Sequence, residues 1–331
     1  MMFFAIFLAD CKRGKKTNQS NVYPDGSTKV FQGDLTPDVG ASTFSLNGKK
    51  VISSANQKYI IVAAMNSIYI IDENLEVVRE FVASDEQVNS VCLTADGKHI
   101  ITGDSSGNLK IFDFSTQNSV TSESFENAIG GVSSSFDGRF IFAIPESGEE
   151  IYILNFQPPE IKKLGNYQLG DTVMSIFVLD RYLFTGGMDN RLNIFRLLDM
   201  EPFLLYEFST EEFDDYVVSI AGWGDKIAVM SFDSFARVFS LSGSILMSEN
   251  FEEKYNDFPY SVAMLDNLLI ISGESGHVYL YNDLSLEKSI EVSQYPIEVN
   301  MTKDYILTYD DENSILRVYT KDLKLKKEFK L

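Results

Sequence analysis

The chain has 331 residues, with 48 Asp plus Glu against 28 Lys plus Arg and a formal net charge of -20. Acidity on that scale works against a sequence-independent grip on phosphate backbones, so nucleic acid is disfavoured as a direct ligand. With 44% hydrophobic and 23% charged residues, the chain can bury a large core and is not a disordered protein.

Met1 to Ala9 is an apolar run, followed by Asp10, Cys11 and the basic residues Lys12, Arg13, Lys15 and Lys16. A secretory signal carries its basic residues before the apolar run, and the run is far too short to span a bilayer. Leu8-Ala9-Asp10-Cys11 is a faint match to a lipoprotein cleavage box, with Asp10 where a small residue belongs. Residues 1–11 therefore read as a tail, with a signal-like or lipid-anchored, exported form as the alternative, and the first reading implies a cytoplasmic protein. Gly14 to Gly40 is polar and aperiodic, so residues 1–40 are expected to be a flexible lead-in and residues 41–331 the folded domain.

From about Val51 one pattern returns seven times: alternating strand, polar turn, apolar strand, short turn, alternating strand. The third strands read Ser67 to Asp72, Asn108 to Asp113, Glu150 to Asn155, Arg191 to Arg196, Phe235 to Ser240, His277 to Asn282 and Ile315 to Thr320. Their penultimate residues, Ile71, Phe112, Leu154, Phe195, Phe239, Tyr281 and Tyr319, recur every 38 to 44 positions. The preceding strands, such as Tyr59-Ile-Ile-Val-Ala and Phe140-Ile-Phe-Ala-Ile, are apolar on nearly every residue, which suits strands covered on both faces. Turns such as Ala95-Asp96-Gly97-Lys98 and Phe136-Asp137-Gly138-Arg139 supply the Asp and Gly that tight hairpins need. Four short strands per period and seven periods predict an all-β, seven-bladed β-propeller with four antiparallel strands per blade. Lys324 to Leu331 can supply the last outer strand; alternatively a strand near Ser42 to Leu46 closes the ring.

In this spacing the chain resembles the WD40-repeat family over roughly Val51 to Leu331. The family's Trp-Asp strand ending survives only as Asp72 and Asp113, its Gly-His pair is missing, and its blade-pinning turn Asp matches Asp189 and Asp233 alone. The resemblance implies a propeller that acts as a binding platform.

Raw material for catalysis is scarce. The two histidines, His99 in a strand and His277 in a turn, leave little for a zinc site or a Ser-His-Asp relay. Glycines form no GxGxxG or Walker pattern, so no cofactor is expected. Asp310-Asp311-Glu312-Asn313 offers hard oxygen ligands but lacks a calcium-loop ladder, so no metal is expected either. Cys92 reads as a buried thiol, and Trp223 as a loop residue covering a blade end. The competing enzyme reading needs only paired acids in the central pocket, with hydrolase-like chemistry.

In a WD40-like ring, the turns from second to third strand and the links between blades share one face. That face would carry 24 of the 48 acids, opposed only by Arg191 and Lys254. A single-signed face steers an oppositely charged partner. The expected function is a non-enzymatic protein-protein scaffold, a subunit of a larger complex, binding a basic protein partner. The binding residues are expected at Glu211, Glu212, Phe213, Asp214, Asp215 and Tyr216, with Asp189 and Arg191, and at Asp310, Asp311 and Glu312. Phe213 and Tyr216 would supply apolar anchoring.

Overall fold

The computed structural model describes residues 50–54, 58–198 and 204–331, in 198 and 204–212 the backbone only. The lead-in 1–40, the segment 1–11 and the candidate closing strand near Ser42 lie outside these residues. Seven four-stranded sheets follow one another, each an antiparallel meander of four consecutive strands. Blade one runs through Val51–Ser53, Ile60–Ala64, Ser67–Ile71 and Val77–Val82; blade seven through Glu298–Met301, Tyr305–Asp310, Ile315–Thr320 and Leu325–Lys330. Among the described residues no helix is long and apolar enough to cross a membrane.

Burial grades outward, which is why the strands differ in composition. Second strands such as Phe140–Pro145 are buried at every residue, since neighbouring blades cover both faces. Third strands alternate less strictly, and outer strands such as Val77–Val82 are largely exposed.

The penultimate third-strand residue that marks the repeat has a structural meaning. In all seven blades the pairing of third and outer strands shifts register just before it, at Ile71, Phe112, Leu154, Phe195, Phe239, Tyr281 and Tyr319. An extra residue there raises local twist, which a blade must have to pack face to face in a ring.

Among the described residues each blade is built from its own four strands: Leu325–Lys330 is the outer strand of blade seven, and blade one has four strands from Val51. Hydrogen bonds between inner strands replace a shared sheet. Ser219 Oγ accepts from the Val262 amide at 3.1 Å and Ser261 Oγ from the Val299 amide at 3.2 Å. At the matching position of blade seven stands Glu298, whose carboxylate accepts from the Lys50 and Val51 amides at 2.9 and 3.0 Å. Asn300 Nδ2 donates to the Val51 carbonyl at 2.7 Å, and Lys50 Nζ meets both Asp311 oxygens at 2.7 Å.

Two expectations about local structure need correcting. Trp223 is the last residue of the inner strand Val217–Trp223, opposite Lys226, and packs half-buried between two core clusters instead of sitting in a turn. Phe251–Tyr255, expected as loop, is a short helix capped by Asn250, whose side chain accepts from the Glu253 amide. Cys92 is fully buried, and burial pushes its thiol up.

Lys321, between the last two strands, has a buried Nζ without a hydrogen-bond partner. Burial pushes its amine down to about 8, against the opposing pull of Asp266 and Asp304. Between there and its usual 10.5, the unfolded chain holds a proton that the folded chain has released. Stability therefore rises with pH across that window, and the penalty is fully present below it. Lys321→Met is expected to stabilise the protein by about 1–2 kcal/mol at neutral pH, after discounting for the half-buried side chain, and to flatten that rise. Urea denaturation of both proteins below and above the window measures it.

Candidate functional site

Five inner strands begin with a bulge. Asn89, Gly130, Met174, Val218 and Tyr260 are each skipped in the pairing with the second strand. A bulge re-aims the unpaired residue, and all five line a cavity of about 320 Å³ at one mouth of the central channel. The turns between second and third strands contribute Glu146, Phe232 and Asp311 to its wall, while Lys50 and Glu298 contribute from the seam. Links between blades and second-to-third turns thus meet at the same mouth. Gly130 is required there: a Cβ on it would lie 2.9 Å from the Glu146 Cα.

The mouth is acidic. Lys50 is engaged by Asp311, and Glu298 by two backbone amides. Burial first, then Glu298, Asp311 and Glu274, push the Tyr260 phenol above its ordinary range.

The expected binding residues separate into exposed groups and structural ones. Glu211 and Glu212 end the outer strand of blade four, opposite Leu192 and Arg191; their side chains lie outside the described residues. Phe213 is not a free anchor: it packs on the core, with the Arg237 guanidinium 5.1 Å over its ring and Phe239 edge-on. Asp214 is exposed; Asp215 is half-buried and accepts from the Tyr216 amide at 2.8 Å. Tyr216 is 36% exposed and its ring meets that of Phe232, which links it to the mouth. Asp189 accepts from the Arg191 amide at 3.1 Å and from Asn193 Nδ2 at 3.2 Å, locking its own turn, while Arg191 is exposed. Asp311 and Glu312 are exposed, and Asp311 is part of the mouth. Asp310 leaves the binding set: it is 2% exposed, and its carboxylate accepts from the Asn313 amide and from Ser293 Oγ.

Pinning acids are consequently more numerous than Asp189 and Asp233. Asp104, 1% exposed, accepts from Ser84 Oγ at 2.6 Å and from the Ser106 and Asn108 amides. Asp257 reaches from the link before blade six to the Phe258 and Ser275 amides, Ser275 Oγ and Tyr279 Oη. These acids tie an incoming link to a turn, so their charge is spent inside the fold. Lys50, Phe232, Tyr260 and Glu298 are the mouth residues that the side-chain pattern missed: Tyr260 because a bulged residue falls out of alternation, Phe232 because it stands in a turn, and Lys50 and Glu298 because the seam joins distant parts of the chain.

Asp257, Ser275 and His277 have the composition of a nucleophilic relay but not its order. Ser275 Oγ lies between, 2.5 Å from Asp257 and 3.0 Å from His277 Nδ1, whereas a relay places the imidazole between hydroxyl and carboxylate. His99 packs edge-on against Phe156. Among the described residues no three His, Cys, Asp or Glu side chains converge on a metal-sized site.

Comparison with known proteins agrees with this architecture. The family model described as KNTC1, N-terminal, matches residues 28–155. An uncharacterized WD repeat-containing protein of Acanthamoeba polyphaga mimivirus is 35% identical over 72 residues, which are 20% of this chain and 54% of that protein. The chain therefore spans about half the length of that relative. Among solved structures, the β-propeller domain of Cps50 (Swd1) from Myceliophteria thermophila superposes with a TM-score of 0.66 at 13% identity, covering 88% of this chain and 98% of that one. U3-55K superposes with a TM-score of 0.66 at 14% identity, covering 82% and 92%.

Proposed function

Taking the chain as a diverged WD40-like seven-bladed β-propeller, we propose that it is a non-enzymatic protein-interaction scaffold that binds a basic segment of a partner protein on the face surrounding the mouth, as a subunit of a larger complex. The observation that carries this reading is the mouth itself, where exposed carboxylates adjoin aromatic side chains in one concave site. Charge supplies steering and partner choice, and the rings supply contact area that charge alone does not. Asp214, Glu312 and Glu146, on three different blades, widen the field around it.

The test is a titration of an Arg/Ser-repeat peptide into the whole protein at low and at physiological salt. Wild type is expected to bind with an affinity that falls about tenfold or more between the two conditions. Changing Glu211, Glu212, Asp214 and Asp215 together to Lys is expected to weaken low-salt binding by about tenfold or more, with circular dichroism confirming the fold. Equal affinities for the two proteins and no salt dependence would sink the reading.

A further inference from the structure

We infer that the channel mouth is a receptor for one cationic side chain, which the bound segment inserts between Glu146 and the Phe232 and Tyr260 rings. This rests on the scaffold reading and says what the middle of the binding face recognises. At about 320 Å³ the cavity admits a long side chain and excludes a helix, whose diameter with side chains is roughly 10–12 Å.

Charge complementarity selects the occupant. Glu146, Glu298 and Asp311 face a single lining cation, Lys50, and that cation is committed to Asp311 through both carboxylate oxygens. Glu298 is held by the Lys50 and Val51 amides. Glu146 is different: it is exposed, and its carboxylate has no hydrogen-bond or ion-pair partner among the described residues. It stands over Gly130, where the absence of a Cβ lets its backbone close in on the inner strand. Met174 and Val218 offer an apolar wall for the methylene stem of Lys or Arg. Phe232 and Tyr260 add ring surfaces on which a cation, and a guanidinium above all, is favoured. A neutral or acidic side chain would gain the apolar contact and forgo, or oppose, the field.

Methionine methyl groups report on this directly. Met174 lines the mouth, while Met65 and Met188 are exposed at second-to-third turns on the same face. The full chain, labelled at methionine methyls with carbon-13, is titrated with N-acetyl-arginine amide, N-acetyl-lysine amide and N-acetyl-norleucine amide, then with the Arg/Ser peptide. The expected result is a saturable shift of Met174 with the two cationic amides and none with norleucine amide. Glu146→Gln should weaken the shift about three- to tenfold and Glu146→Lys should abolish it. An equal response to norleucine amide, or indifference to both Glu146 substitutions, overturns the proposal. If the peptide moves Met188 or Met65 and leaves Met174 unchanged, the mouth is not the receptor although the scaffold reading stands. If the cationic amides move Met174 while no peptide binds, the receptor stands and the scaffold reading falls.

Discussion

Replacing Asp257 by alanine is expected to lower the unfolding free energy by about 3–5 kcal/mol, the largest effect of any single substitution considered for this fold. The carboxylate is 3% exposed and accepts from the Phe258 amide at 2.9 Å, the Ser275 amide at 2.9 Å, Ser275 Oγ at 2.5 Å and Tyr279 Oη at 2.9 Å. Removing it strands four donors at once, in a place where Tyr279 is 4% exposed and water cannot easily replace the lost acceptor. Its side chain also lies flat against Gly273, where an added Cβ would meet Oδ2 at 1.8 Å. Gly273→Ala should therefore evict the carboxylate and cost about 2–4 kcal/mol while leaving every hydrogen-bonding group in the sequence. Combined, the two changes should cost much less than their sum, because each removes the same interaction. Urea denaturation of both single variants and the double variant decides it; additive losses would show that Asp257 is not the common cause.

The second large effect belongs to the seam. Glu298→Ala is expected to cost about 2–4 kcal/mol, since charge-assisted bonds to two backbone amides are lost together. Glu298→Gln keeps one neutral acceptor and should recover part of the loss. Serine occupies the matching place in blades five and six as Ser219 and Ser261, each accepting one amide. The acid in blade seven reaches two, Lys50 and Val51, next to an inner strand of only three residues, Val51–Ser53. Amide hydrogen exchange should accelerate first at Val51 in the alanine variant, ahead of inner strands in blades two to six. Uniform acceleration around the ring would mean that the seam is no weaker than the other blade interfaces.

The blade repeat was legible from residues because alternation and turn chemistry are properties of short stretches. Asn108–Asp113, Phe235–Ser240, His277–Asn282 and Ile315–Thr320 have the boundaries that their side-chain pattern predicts. The large apolar residue near the end of each third strand, used only as a ruler, marks the bulge that twists the outer strand. The site was less legible. Counting loop acids treats every carboxylate as available, whereas Asp104, Asp257 and Asp310 point inward and hold links to turns. Phe213 has the sequence context of an anchor, yet Arg237, reached across the blade, covers it.

Sequence by itself therefore determined the number of blades, their strand order and the acidity of the loops, since each follows from neighbours within one period of the chain. Only the tertiary structure decided which acids remain free, how the ring closes and what lines the mouth. The reason is range: Lys50 and Glu298 are 248 positions apart and meet only because seven blades turn through a full circle. Tyr260 and Asn89 reach one cavity only because a bulge takes each out of the alternation that their strands otherwise keep.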